Sequence, residues 1–175
     1  MTRPEGGAKP VEMRAQPASE LVGRRRGRGH LLRAVLDAAP SATGVLFDLP
    51  EVIQRLQVGH QRMITTAGSF FTDPLPQADA YILMDVLHDW PDDECETIRR
   101  AAPAGATLLV VEAIVPEGPV DPRTATLDVM MLVLTGGGRE RTAGQLEALL
   151  TRAGFVLEAV LDTPGPVRIA EARAV

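Results

Sequence analysis

The run Thr107-Leu108-Leu109-Val110-Val111 constrains this chain more than any other feature. Apolar and β-branched residues without polar alternation suit a strand only where both faces are covered. Such a strand belongs inside a sheet that carries a layer on each side. Two more segments share the character, Thr43–Leu49 (TGVLFDL) and Ala80–Met84 (AYILM), and Arg62–Thr66 reads as a further strand.

Around these strands the period changes to that of helices. His30–Ala39 sets Leu31, Leu32, Val35 and Leu36 on one face, and Pro40 stops it. Glu51–Gln57 follows Pro50 as a short helix, Asp92–Ala102 opens at a Pro-Asp pair, and Ala125–Leu134 and Thr142–Ala153 are also helical. Phe155–Leu161 and Val167–Ala172 form two strands around a turn at Pro164–Pro166. The alternation predicts an α/β fold with a mostly parallel sheet, helices on both faces and an antiparallel edge hairpin.

At 175 residues and 45% hydrophobic content, the chain suits one globular domain. Residues 1–19, rich in Pro, Gly and Ala, are expected to be a poorly ordered leader, with the domain over 20–175. The single cysteine, Cys95, excludes a disulfide scaffold. No uncharged apolar run reaches the roughly 18 residues of a membrane span, and no apolar core follows the basic N-terminus as a secretory signal requires. A cytoplasmic protein without a membrane partner is expected. Residues 1–29 carry a net charge of +4 and the rest −9. An acidic body argues against a nucleic-acid partner, which needs a positive face.

Ligands of open parallel sheets bind beyond the carboxyl ends of the strands. There the sequence offers Asp48 after GVLF, Ser69–Phe71 after MITTAG, Asp85–Trp90 after YILM and Glu112 after LLVV. His88 can serve as a general base near neutral pH, with Glu112 or Glu140 orienting it, or can cap the following helix. Asp89, Asp92 and Asp93 suit either a metal or the positive end of that helix, and no second ligand cluster favours a metal. Asp48 can hold both hydroxyls of a ribose or cap a turn. Gly27 and Gly29, opening the helix at His30, permit close backbone approach to a nucleoside cofactor. Gly136–Gly138 permit tight geometry in the loop before Thr142, a good N-cap.

Seven segments occur in one order: RGHLLRAVL, GVLFDLPEVI, AGSFFTDPLPQADAYIL, VLHDWPDDEC, LLVVEAIVP, LDVMMLVLTGGGRERT and LLTRAGF. In them the chain resembles the catalytic domain of the plant caffeic-acid type O-methyltransferases and their bacterial natural-product relatives, from about His30 to Ala172. The resemblance implies a class I, Rossmann-like methyltransferase fold. It implies S-adenosylmethionine as cofactor and a small aromatic hydroxyl compound as methyl acceptor. His88 then matches the general base, with Glu112 and Glu140 flanking and orienting it. Asp48 matches the ribose-binding acid, Phe70 the residue packing near adenine, and no metal is implied. The alternative is an inactive or repurposed accessory protein of the same fold. An oxidoreductase on a similar sheet lacks its full G-x-G-x-x-G.

Departures from the family pattern carry expectations of their own. Leu21-Val22-Gly23-Arg24-Arg25-Arg26-Gly27 stands where the family has its first strand and three glycines. GGC codons read out of register give CGG, an arginine codon, so residues 1–26 are expected to derive from a shifted or rearranged reading. Ser69 replaces a usual aspartate, and Met84 a frequent lysine. The family's helical dimerisation domain is expected to be absent. Ala125–Leu134 should then expose an apolar face that favours self-association or a partner subunit.

Overall fold

A computed structural model describes residues 20–24, 29–56, 59–96, 102–119, 122–135 and 137–175. The leader expected over residues 1–19 lies outside the described residues. The chain begins with β1 (Glu20–Arg24), α1 (His30–Ala38), β2 (Thr43–Asp48), α2 (Pro50–Ile53) and β3 (Met63–Ala67). It continues through β4 (Ala80–Met84), a 3-10 turn (Leu87–Asp89), α3 (Asp92–Cys95) and β5 (Thr107–Glu112). Then come β6 (Ile114–Val115), α4 (Pro122–Thr135), β7 (Arg141–Thr142), α5 (Ala143–Arg152), β8 (Phe155–Asp162) and β9 (Arg168–Ala174).

Seven strands form one sheet in the order β3-β2-β1-β4-β5-β9-β8. The five from β3 to β5 run parallel, while β9 is antiparallel to both β5 and β8. The predicted terminal hairpin is therefore present, with β8 at the edge and β9 pairing with the TLLVV strand. β6 and β7 make a second, two-stranded parallel ladder, which no periodicity announced.

The alternation of side chains along β2 shows why both faces need cover. Val45 and Phe47 join a core containing Leu146, Leu149 and Leu150 of α5, together with Tyr81, Leu108, Val110 and Phe155. Leu46 belongs to a second cluster with Leu32 and Leu36 of α1, Met63 and Ala80. Helices thus cover opposite faces, as expected for this α/β class. Thr142 caps α5 in a reciprocal box with Gln145, which fixes where the helix begins.

Element boundaries differ from the periodicity in places. β3 starts at Met63, one residue after Arg62, the start that the pattern suggests. The Arg62 guanidinium bonds the carbonyls of Leu36, Ala39 and Ala42, closing the carboxyl end of α1. α2 ends at Ile53, short of the expected Gln57, which itself lies outside the described residues. α3 is described only as Asp92–Cys95, and residues 97–101 of the expected longer helix lie outside the described residues. β1 has no apolar run to announce it and was legible only through the family pattern.

α4 carries the exposed apolar face expected of it. Val129, Met130, Leu132, Val133 and Leu134 are each at least 44% exposed. No helix among the described residues is long and apolar enough to cross a membrane.

Candidate active site

The winding of the sheet reverses at β1, whose neighbours are β2 on one side and β4 on the other. A crevice forms outside the carboxyl ends of strands at such a point. Asp48 ends β2 on one side of it, and His88 follows β4 on the other. Residues 25–28, which follow β1 in the sequence, lie outside the described residues, and Gly27 with them.

Gly29 is described and adopts φ 63°, in the left-handed region that glycine enters without strain. A Cβ there would also sit 3.0 Å from Leu46 Cδ2. Asp48 is buried, and its Oδ1 accepts a hydrogen bond from the Leu49 amide at 2.8 Å. Phe70 is buried in the main core and stacks against Phe71 at 4.0 Å between centroids. Phe71 in turn meets the edge of Trp90 at 4.6 Å, so the aromatic cluster ties the β3–β4 loop to the histidine turn.

His88 sits in the 3-10 turn rather than at the start of α3. Its Nδ1 faces Glu140 Oε1 at 3.5 Å, and its Nε2 lies 3.6 Å from Asp89 Oδ1. The 3.5 Å separation is long for a formed hydrogen bond, so His88 Nδ1 and the buried Glu140 Oε2 both lack a hydrogen-bond partner. The Glu140 contact is the strongest influence on the imidazole and raises its pKa above 6.5. Burial opposes the rise, while Glu112 and Asp89 add to it.

Glu112 ends β5 and is 4% exposed. Its Oε1 accepts from the backbone amides of Val86, at 2.9 Å, Leu87 and His88. The acid therefore holds the main chain of the turn, while Glu140 and Asp89 stand nearest the ring. Burial pushes the Glu112 carboxyl above its usual range, opposed by His88 and the three amides.

Two further residues pack on this turn, one of them in the glycine run and one that escaped the sequence. Gly138 packs so closely that a Cβ would lie 2.2 Å from the His88 carbonyl oxygen. Its place in a glycine run was the only signal. Arg141, in the same motif as Glu140, is 4% exposed and reaches the turn from the opposite side to Glu112. An arginine in a loop of charged residues gives no sign of burial. The parallel sheet that reverses its winding at β1, with helices on both faces and a crevice beyond the strand ends, is the architecture of the class I, Rossmann-like fold.

Comparison with known proteins agrees with that class. Residues 13–156 match the O-methyltransferase domain family, and the chain belongs to it. It is 43% identical over 160 residues to phenazine O-methyltransferase of Lysobacter antibioticus, covering 85% of this chain and 46% of that protein. The structure of human N-acetylserotonin methyltransferase with S-adenosylmethionine superimposes with a TM-score of 0.80 at 32% identity, over 90% of this chain and 48% of that one. An O-methyltransferase from neocarzinostatin biosynthesis, bound to S-adenosylmethionine and a hydroxy-methyl naphthoic acid, gives 0.74 at 33%, over 90% and 49%. The chain spans about half the length of these relatives.

The described residues fit the cofactor that these neighbours hold. Asp48 places a buried carboxylate at the end of β2, where a ribose would need acceptors. Phe71 and Trp90 supply partly exposed aromatic faces, and Gly29 opens a helix at the crevice.

Proposed function

We propose that this domain transfers the methyl group of S-adenosylmethionine to the hydroxyl of a small aromatic compound, with His88 as general base. The observation that carries the proposal is the half-buried imidazole whose unpartnered Nδ1 faces a buried carboxylate, Glu140, beyond the end of β4. Asp48 and the backbone at Gly27 and Gly29 would hold the cofactor, with Phe70 supporting the adenine side. When bound, the cofactor supplies an electrophilic methyl group on a sulfonium.

Neutral His88 takes the proton of the acceptor hydroxyl, leaving an oxygen nucleophile for in-line attack. The resulting imidazolium gains from Glu140 and Asp89, whose carboxylates are already in place before the proton arrives. Glu112 contributes by holding the turn that carries the ring. Holding the reacting groups at fixed separation accounts for several kcal/mol of barrier reduction in reactions of this type, about 7–11 in the best cases.

Calorimetric titration with S-adenosylmethionine and S-adenosylhomocysteine tests the cofactor half, with micromolar affinity expected. A panel of phenols and hydroxylated aromatic acids, read by mass for a gain of one methyl, then tests transfer. His88→Ala should retain cofactor binding and lose transfer by about 10²-fold or more. Folded protein that binds neither ligand at millimolar concentration overturns the proposal. The exposed apolar face of α4 supports self-association or a partner subunit. A sedimentation coefficient that stays monomeric at high concentration, in protein purified without a partner, would refute that part.

A further inference from the structure

We propose that Arg141 is a positioning residue for His88, fixing through the backbone the separation between the imidazole and Glu140. The proposal rests on the reading of His88 as base and extends it to a residue that bonds the backbone of the turn at Leu87 and Trp90.

The guanidinium is forked across the turn. Nη1 donates to the Leu87 carbonyl at 2.8 Å and Nη2 to the Trp90 carbonyl at 2.9 Å, bracketing His88 from before and after. Nε and Nη2 also donate to Asp92 Oδ1, at 3.1 and 2.8 Å. Asp92 is itself held by Arg139 and Arg152, so the anchor stays in place independently of Arg141. A planar fork with donors in fixed directions makes such a clamp, whereas a flexible ammonium does not.

The opposite side of the same turn is held by Glu112 through the amides of Val86, Leu87 and His88. A buried carboxyl group therefore takes the amides and a buried guanidinium takes the carbonyls. Glu112 ends β5, and Arg141 lies on β7, which pairs at Ile114 with β6, the short strand that follows β5 in the chain. Arg141 also follows Glu140 directly. One short stretch therefore carries the carboxylate that faces the ring and the guanidinium that holds the ring's backbone. The 3.5 Å gap between Nδ1 and Oε1 is set within that stretch. Burying a charge of this kind adds little stability over an apolar side chain of like volume, which leaves geometric specification as its contribution.

The test follows the imidazole by nuclear magnetic resonance and needs neither cofactor nor acceptor. The chain has three histidines, so single His30→Gln and His60→Gln spectra assign the His88 signals. Arg141→Met removes the fork while keeping an unbranched apolar side chain in place of the arginine's stem. Asp92 keeps its other two arginines, so the fold should persist. Loss of a positive charge alone would raise the His88 pKa. Loss of positioning lowers it toward 6.5, because Glu140, its strongest influence, falls out of place while Asp89 and Glu112 remain nearby. The expected result is a fall, with about tenfold faster hydrogen exchange at the Leu87 and His88 amides. Arg141→Lys, which keeps the charge without the fork, should show the same direction.

A folded Arg141→Met protein whose His88 titration is unchanged or raised overturns the proposal. Should neither variant fold, the wild type decides. Its Leu87 and His88 amides must exchange as slowly as those of β5, and local opening far below global unfolding refutes the clamp. Intact positioning in a protein that transfers no methyl would overturn the proposed function and leave this inference standing.

Discussion

Replacing Gly138 with alanine should damage both stability and methyl transfer, through one atom. The added Cβ would lie 2.2 Å from the His88 carbonyl oxygen, 2.3 Å from Thr135 Oγ1 and 2.8 Å from the Asp89 carbonyl carbon. An unstrained carbon–oxygen contact is about 3.3 Å, so something must move by about 1 Å. Two of the three obstacles are main-chain atoms of the histidine turn, held from behind by Glu112, so no flexible side-chain end yields on that side. Overpacking of this kind costs about 1–3 kcal/mol. Losing the Gly138 amide bond to Thr135 Oγ1, 3.0 Å long, adds about 1 kcal/mol. Urea denaturation should therefore show a loss of roughly 2–4 kcal/mol, which an ordinary domain of about 5–15 kcal/mol survives. A misplacement of about 1 Å at the base lowers turnover by about 10²-fold. Gly138 has an ordinary backbone conformation, so space alone is at issue. Gly59, with nothing within 4 Å of its would-be Cβ, is the control and should change stability by less than about 0.5 kcal/mol. A Gly138→Ala protein as stable as that control, with wild-type turnover, would refute the packing at this turn.

Further outcomes follow from the same contacts. With His88 as base, turnover should rise with pH through a pKa above 6.5, and Glu140→Gln should move that limb to lower pH in a pH–rate profile. Linkage gives the sign for stability. His88 stabilises the fold fully below about pH 6.5, the ordinary histidine value, and that contribution is lost as pH rises through its raised pKa. At Asp92, burial opposes ionisation, but Arg141 and Arg139 prevail and hold the carboxyl below 3.8. Its contribution is therefore present above that pH and lost as pH falls through the lowered pKa. Arg62→Met strips the carbonyls of Leu36, Ala39 and Ala42 of their donor and should cost about 1–3 kcal/mol in urea titrations. Cys95 is buried and its thiol is pushed up to about 12, so the folded protein should resist alkylation at pH 8 until denaturant is added.

The sequence by itself determined the layers of this protein. Runs such as TLLVV and AYILM have no polar face, so a sheet covered on both sides was their only stable setting, and α1 and α5 declared their periods as plainly. It also placed His88, Asp48 and Glu112 just beyond strand ends, because the rule linking ligands to those ends depends only on strand direction. Tertiary structure decided what each group faces. β1, with an arginine in its last position and no apolar run, is a strand because β2 and β4 present free backbone on either side. Glu112 meets amides 24 to 26 residues away rather than the imidazole. Arg141 is buried by carbonyls of a turn 51 to 54 residues distant. Side-chain periodicity records whether a position is covered, because burial acts on apolar surface whatever its source. Which donor meets which acceptor depends on direction and on distances within a few tenths of an ångström, and these exist only once the strands have set their register.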